Sequence, residues 1–189
     1  MDKLFNFNLT QQSKLSQELL HIGVSNFNDA LTYVQNLPYG RNSNRSEYTL
    51  ILKEHKGTCS TKHAFLAALA NQENIPQVKL FMGIYKMCEE NTEGVSAVLE
   101  NYQLPYIPEA HCYLKINNNI VDVTRNSNNH ISFEASLLYE EEIVSHQIVD
   151  YKVKRHQDYL KDWIVSESIT YNFKTIWNIR EACIQNISK

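Results

Sequence analysis

No stretch of this 189-residue chain approaches the roughly 18 apolar residues that a membrane-spanning helix needs. The opening Met1-Asp2-Lys3-Leu4-Phe5-Asn6-Phe7 has no basic region leading into an apolar one, so no secretory leader is expected and the reading places the protein in the cytoplasm. An excess of one charge is also missing. With 18 Lys and Arg against 21 Asp and Glu, the net charge of -3 gives no general pull toward nucleic acid or anionic lipid, and neither is an expected partner. Cysteines are sparse, at 59, 88, 112 and 183, with no CxxC pair and no dense framework. That excludes a disulfide scaffold and makes reduced thiols the expectation. No repeat and no low-complexity tract divides the chain, so a single domain over 1–189 is expected, long enough to bury its own core. Nothing calls for a cofactor or a metal.

What is present is an ordered set of periodic segments. Apolar spacing predicts helices over about 10–21, closed by Gly23, and about 26–37, opened by Ser25 and stopped by Pro38, which together make an N-terminal helical hairpin over 10–37. A polar loop rich in turn formers follows at 38–46. The segment from Cys59 to about Gln72 reads as a central, mostly buried helix, with Phe65, Leu66, Leu69 and Ala70 on an apolar stripe and Ala64, Ala67 and Ala68 allowing close approach. Val78 to Met87 is strand-like, and 89–108 is a long connection with a short helix near 95–101. A hairpin is predicted from 110–116 through Asn117-Asn118-Asn119 to 120–124. A third strand is expected near 143–151, and helices at 154–165 and 173–187 close the chain. The class is α+β, with helices packed on a small antiparallel sheet, a core over about 49–124 and C-terminal helices over about 154–187.

The segment Gly57-Thr58-Cys59 places a cysteine where a helix begins. The backbone N–H groups at such an end favour a thiolate, the form that attacks, and can later hold the oxygen of an addition intermediate. The hairpin supplies the complementary chemistry. Strand alternation puts His111, Tyr113 and Lys115 on one face and Cys112, Leu114 and Ile116 on the other. With Asn118 near the centre of the turn, an approximate pairing sum of 235 places Tyr113 opposite Asp122, a pairing shifted by one residue in each strand brings His111 close to Asp122 diagonally, and the turn details decide between these registers. A histidine that takes a proton from a thiol needs a third group to fix its tautomer, and a carboxylate across a hairpin can serve.

These residues resemble the transglutaminase-like or papain-like cysteine superfamily. The resemblance is carried by Gly57-Thr58-Cys59 with the Ala-rich helix, by Glu109-Ala110-His111-Cys112-Tyr113-Leu114, and by Ile120-Val121-Asp122-Val123-Thr124 as the family's Asp-x-Thr strand end. His111 follows Cys59 by 52 residues and Asp122 follows by a further 11. The resemblance implies a papain-like core, Cys59 as nucleophile, His111 as general base and then acid, and Asp122 as orienting carboxylate. It implies a thioester intermediate and a peptide, protein or other amide-containing substrate, with water or an amine as acceptor. The oxyanion would be held partly by the Cys59 N–H; for the further donor, and for the substrate, Tyr39, Arg41, Asn42, Asn44 and Arg45 are candidates by loop position. His63, one turn after Cys59, is expected to support or pack rather than to react.

Two other readings use the same residues. Cys59, His63, His111 and Asp122 are ligand types that suit zinc, although C-x3-H is a poor match to structural spacings. A non-catalytic module could instead hold a peptide or glycan with the Tyr39 to Arg45 loop and the Tyr102-Gln103-Leu104-Pro105-Tyr106 segment. Cys112 is expected in the core, and Cys88 and Cys183 have no distinguishing context.

Overall fold

The computed structural model describes residues 5–125 and 132–187; the Met1 to Leu4 part of the leader reading lies outside them. Among these residues the chain forms seven α-helices and four strands, in the order α1 (Lys14–His21), α2 (Phe27–Asn36), α3 (Leu50–Glu54), α4 (Cys59–Gln72), β1 (Val78–Met87), α5 (Ser96–Leu99), β2 (Ile107–Ile116), β3 (Asn119–Val121), β4 (Leu137–Ile143), α6 (Asp150–Ser166) and α7 (Phe173–Asn186). The strands make one sheet in the order β3-β2-β1-β4. The α+β class is therefore observed.

Contacts divide the chain into two compact units. The first is Met1–Phe81, Cys112–Asn126 and Glu142–Val149, and the second is Met82–His111, Ser127–Glu141 and Asp150–Lys189.

In the first unit α4 is the central element, packed against α1, α2, α3 and the 3₁₀ turn Ser145–Gln147. Eleven of its 14 residues are buried, so it is covered around its circumference rather than along one stripe. Its start is fixed by a capping box: Thr58 Oγ1 accepts from Thr61 N–H, and Thr61 Oγ1 accepts from Thr58 N–H at 3.0 Å. Its end is tied to α1, where the hydroxyls of Thr10, Ser13 and Ser16 all donate to Glu73 Oε1. In the second unit α7 packs on α5 and α6.

The hairpin forms because Asn117 and Asn118 both adopt positive φ, 49° and 69°, as a two-residue turn matched to strand twist requires. The pairs Leu114↔Val121, Lys115↔Ile120 and Ile116↔Asn119 give the predicted sum of 235. Pairing stops at Val121, so Asp122 to Thr124 are not strand but a turn beyond it. The third strand lies at Leu137–Ile143 rather than 143–151. The apolar residues after it are interrupted by the 3₁₀ turn Ser145–Gln147, and α6 begins at Asp150. No helix among the described residues is long and apolar enough to cross a membrane.

Candidate active site

Cys59 is the first residue of α4 and is 9% exposed. The segment before it is held by main-chain pairing, with Gly40 N–H donating to Gly57 O and Gly57 N–H donating to Pro38 O, both at 3.1 Å. Space at Gly57 is tight. A Cβ there would lie 3.0 Å from Ile51 Cγ2, 3.0 Å from Lys62 Cγ and 3.1 Å from Thr61 Oγ1.

Asp122 sits in the turn after β3, where its Oδ1 accepts from Thr124 N–H at 2.8 Å and Thr124 Oγ1 at 2.5 Å. This gives the Asp-x-Thr pattern a local physical reason: the threonine supplies two donors to one carboxylate oxygen. The residue between them is engaged as well. Val123 N–H donates to His63 Nε2 at 2.9 Å, so the ring proton of His63 is on Nδ1 and is donated to the Cys59 carbonyl at 2.7 Å. His63 is fully buried, and its Nε2 is 3.4 Å from Asp122 Oδ1. One neutral imidazole thus joins the first turn of α4 to the turn that carries Asp122.

Lys62 makes a parallel connection that the sequence reading missed. It is fully buried, and its Nζ donates to Leu37 O at 2.7 Å, Thr124 O at 2.9 Å and Gln35 O at 3.2 Å, with Val123 O at 3.5 Å. Burial pushes the Lys62 ammonium down to about 8, against the upward pull of Asp122; Arg125 adds to the lowering and Cys59 opposes it. A signal was available: Lys62 is the sole Asp, Glu, Lys or Arg on a helix with almost no solvent face.

The loop candidates separate. Asn42 is buried; both of its amide hydrogens are committed, to Glu54 Oε2 at 3.1 Å and Lys56 O at 3.0 Å, and its Oδ1 accepts from Thr61 Oγ1 at 3.0 Å. It braces the start of α4 and in this conformation has no N–H left for an oxyanion. Asn44 uses Oδ1 to accept from Ser46. Tyr39 bridges to Gly57 through the main chain, and its ring lies under the Arg125 guanidinium at 4.4 Å. Arg41 and Arg45 are exposed.

His111 belongs to the second unit. It is half-buried on β2, with its ring edge-on to Phe133 at 4.8 Å and to Tyr85 at 6.0 Å. Two residues earlier on the strand, buried Glu109 is held by the Arg180 fork, through Nε to Oε2 at 2.6 Å and Nη2 to Oε1. His156 donates from Nε2 to Pro108 O at 2.8 Å, and its Nε2 is 3.9 Å from Glu109 Oε2. Burial alone would raise the Glu109 carboxyl, but Arg180, His156 and Lys152 outweigh it and hold the carboxyl at about 2. The same unit carries a cleft of about 300 Å³ lined by Tyr106, Tyr159, Trp163, Lys86, Asp162 and Glu167 among others. Tyr102 is elsewhere, edge-on to Tyr171.

None of the four cysteines is in a disulfide. Cys112 and Cys183 are fully buried. Burial, followed by Glu109, pushes Cys183 up to about 11. Cys88 is half-buried, and burial followed by Glu90 raises its thiol as well. Among the described residues no group of three or more His, Cys, Asp or Glu side chains is disposed to hold a metal ion. Both ring nitrogens of His63 are already engaged, so the zinc set of Cys59, His63, His111 and Asp122 lacks one member.

Fold and site together define an α+β protein with a thiol at the start of its central helix and a carboxylate turn clamped to that helix. No family model matches the chain, and no curated protein and no solved structure matches it.

Proposed function

We propose that the protein is a cysteine-dependent acyl-transfer enzyme with a transglutaminase-like or papain-like core, in which Cys59 is the nucleophile, His111 the base and then acid, and Asp122 the carboxylate that orients the imidazolium. The observation that carries the reading is the construction of the first turn of α4: Cys59 opens it, and Lys62 and His63 hold the Asp122-Val123-Thr124 turn. Electrostatics at a helix start and a pre-positioned carboxylate are what a thiolate and its partner need.

The chemistry is that of acyl transfer. The Cys59 sulfur attacks an amide carbonyl carbon, and the developing oxyanion is held by the Cys59 N–H. His111 gives its proton to the departing amine, leaving a thioester. Water or a second amine, losing its proton to His111, then attacks the thioester and releases Cys59. With none of the four cysteines in a disulfide, a reducing compartment fits this reading, and the cytoplasm is the one proposed.

The test is competitive alkylation with iodoacetamide at mildly acidic pH, with each cysteine mapped by mass. Cys59 should be modified at least about tenfold faster than Cys88, and His111→Ala should remove that advantage. Equal rates at Cys59 and Cys88 in the folded protein would sink the nucleophile assignment.

A second reading, a non-catalytic module that holds a peptide or glycan, is favoured by the aromatic cleft at Tyr106. There Trp163 Nε1–H donates to Tyr106 Oη at 3.1 Å, and Lys86 Nζ lies 4.9 Å over the Tyr106 ring.

A further inference from the structure

The carbonyls that hold Lys62 come from two separate segments. Leu37 is the C-cap residue of α2 and Gln35 lies in its last turn, whereas Val123 and Thr124 belong to the turn after β3. A helix end leaves its last carbonyls without intrahelical partners, and an ammonium with three protons can satisfy two of them and still reach a third group. The path of the side chain is reserved, because Gly57 gives space that any Cβ would contest with Lys62 Cγ. The charged groups facing the ammonium are Asp122 and Arg125 beyond β3 and Cys59 on its own helix, while α2 presents only main-chain oxygens to it.

We infer that Lys62 is a positioning residue: it ties the end of α2 to the Asp122-Val123-Thr124 turn and so sets where the Asp122 carboxylate is held. The N-terminal helical hairpin, outside the core implied by the family resemblance, thereby takes part in building the site. The chemical consequence rests on the acyl-transfer reading; the tie itself does not.

The experiment has two arms. In the first, Lys62→Met keeps the stem and removes the donors. Cys59 alkylation is followed across a pH series in the wild type, Lys62→Met, Asp122→Asn and the double variant. Misplacement of a catalytic group costs about tenfold or more in rate, so Lys62→Met should slow Cys59 by about that factor and alter its pH profile. The double variant should be no slower than Asp122→Asn alone, because Lys62 acts through that carboxylate. Independent, multiplying effects would overturn the inference.

The second arm needs no substitution at Lys62. In Cys59→Ser protein, which removes that thiol's titration, the amide nitrogen shifts of Leu37, Val123 and Thr124 are followed from neutral to alkaline pH. All three should titrate together with a midpoint near 8, the value to which burial brings Lys62. Flat shifts, or a titration confined to one segment, would overturn the inference even if Lys62→Met failed to fold. If wild-type Cys59 labels no faster than Cys88, the acyl-transfer reading falls, and the amide titration still decides what Lys62 does.

Discussion

Arg180→Met should destabilise the second unit by an amount that depends on pH in a specified direction. Glu109 is 6% exposed and takes both branches of the Arg180 fork. Its carboxyl is held at about 2 against an ordinary value of 4.5. At about 1.4 kcal/mol for each pH unit, that displacement corresponds to about 3 kcal/mol of stability in the wild type. Because the folded value lies below the unfolded one, this contribution is complete above pH 4.5 and drains away as pH falls toward 2. Removing one partner of a buried pair strands the other, which costs about 3–5 kcal/mol at neutral pH. For a chain of this length that lowers Tm by roughly 6–20 °C. In the variant, burial dominates Glu109 and raises its carboxyl, so the sign reverses: the variant recovers stability as pH falls from 7 toward 5, and its deficit against wild type narrows. Urea unfolding followed by tryptophan emission is the assay, since both tryptophans, Trp163 and Trp177, lie in the second unit and Arg180 stands 5.4 Å over the Trp177 ring. Adding Glu109→Gln to Arg180→Met should return much of the loss by removing the stranded charge. A deficit below about 1 kcal/mol, or one that is equal at pH 7 and pH 5, would refute the account of this pair.

Gly57→Ala should force the backbone before Cys59 to move, costing about 1–3 kcal/mol in chemical denaturation and slowing Cys59 alkylation together; unchanged stability would mean that Ile51 and Lys62 yield freely. If the Tyr106 cleft holds a ligand, Trp163 emission should respond saturably to a mixed-sequence peptide or to a chito-oligosaccharide, and Tyr106→Ala should abolish the response. No saturable change with either probe at millimolar concentration would reject the cleft as a peptide or glycan site.

The elements easiest to read from sequence were those whose signals are local. The hairpin was legible from its run of turn-forming asparagines, and α4 from an Ala-rich run opening at Cys59; the positive φ of Asn117 and Asn118 and the Thr58 cap give the physical reasons. The third strand was misplaced because β4 is an edge strand that carries Glu140, Glu141 and Glu142 in succession. Glu142 pairs with Lys79, and Glu141 with Arg155, so charge and not apolar alternation marks this strand. Lys62, and the bracing role of Asn42, escaped for a different reason. A lysine on a helix and an asparagine in a loop ordinarily read as solvated, and what buries these two are carbonyls and a carboxylate distant in sequence. Of the candidate residues, the position of Cys59 at a helix start was legible from a short local pattern, whereas Asp122, expected on the paired strand, stands one residue beyond its end in an Asp-x-Thr turn. The tie between them through His63 depends on packing that no local pattern encodes.

Each unit contains a buried charge where apolar packing could have supplied as much stability, since a well-packed hydrophobic replacement of a buried ion pair is often neutral or better. Stability alone is therefore a poor reason for either Lys62 or the Glu109–Arg180 pair. Both make directional bonds that a methyl group cannot make. The Lys62 ammonium fixes carbonyls at the end of α2 and within the turn that carries Asp122, and the Arg180 guanidinium fixes the orientation of a carboxylate two residues from His111 on the same strand face. Hydrophobic contacts tolerate sliding, whereas a planar fork against a carboxylate, or an ammonium seated on several carbonyls, resists it. In the proposed enzyme the groups flanking Asp122 and His111 are thus held by the interactions best suited to fixing position rather than by those cheapest for stability. Replacing the whole Glu109–Arg180 pair by packed apolar side chains can then leave the second unit as stable as before, whereas removing Arg180 alone strands Glu109.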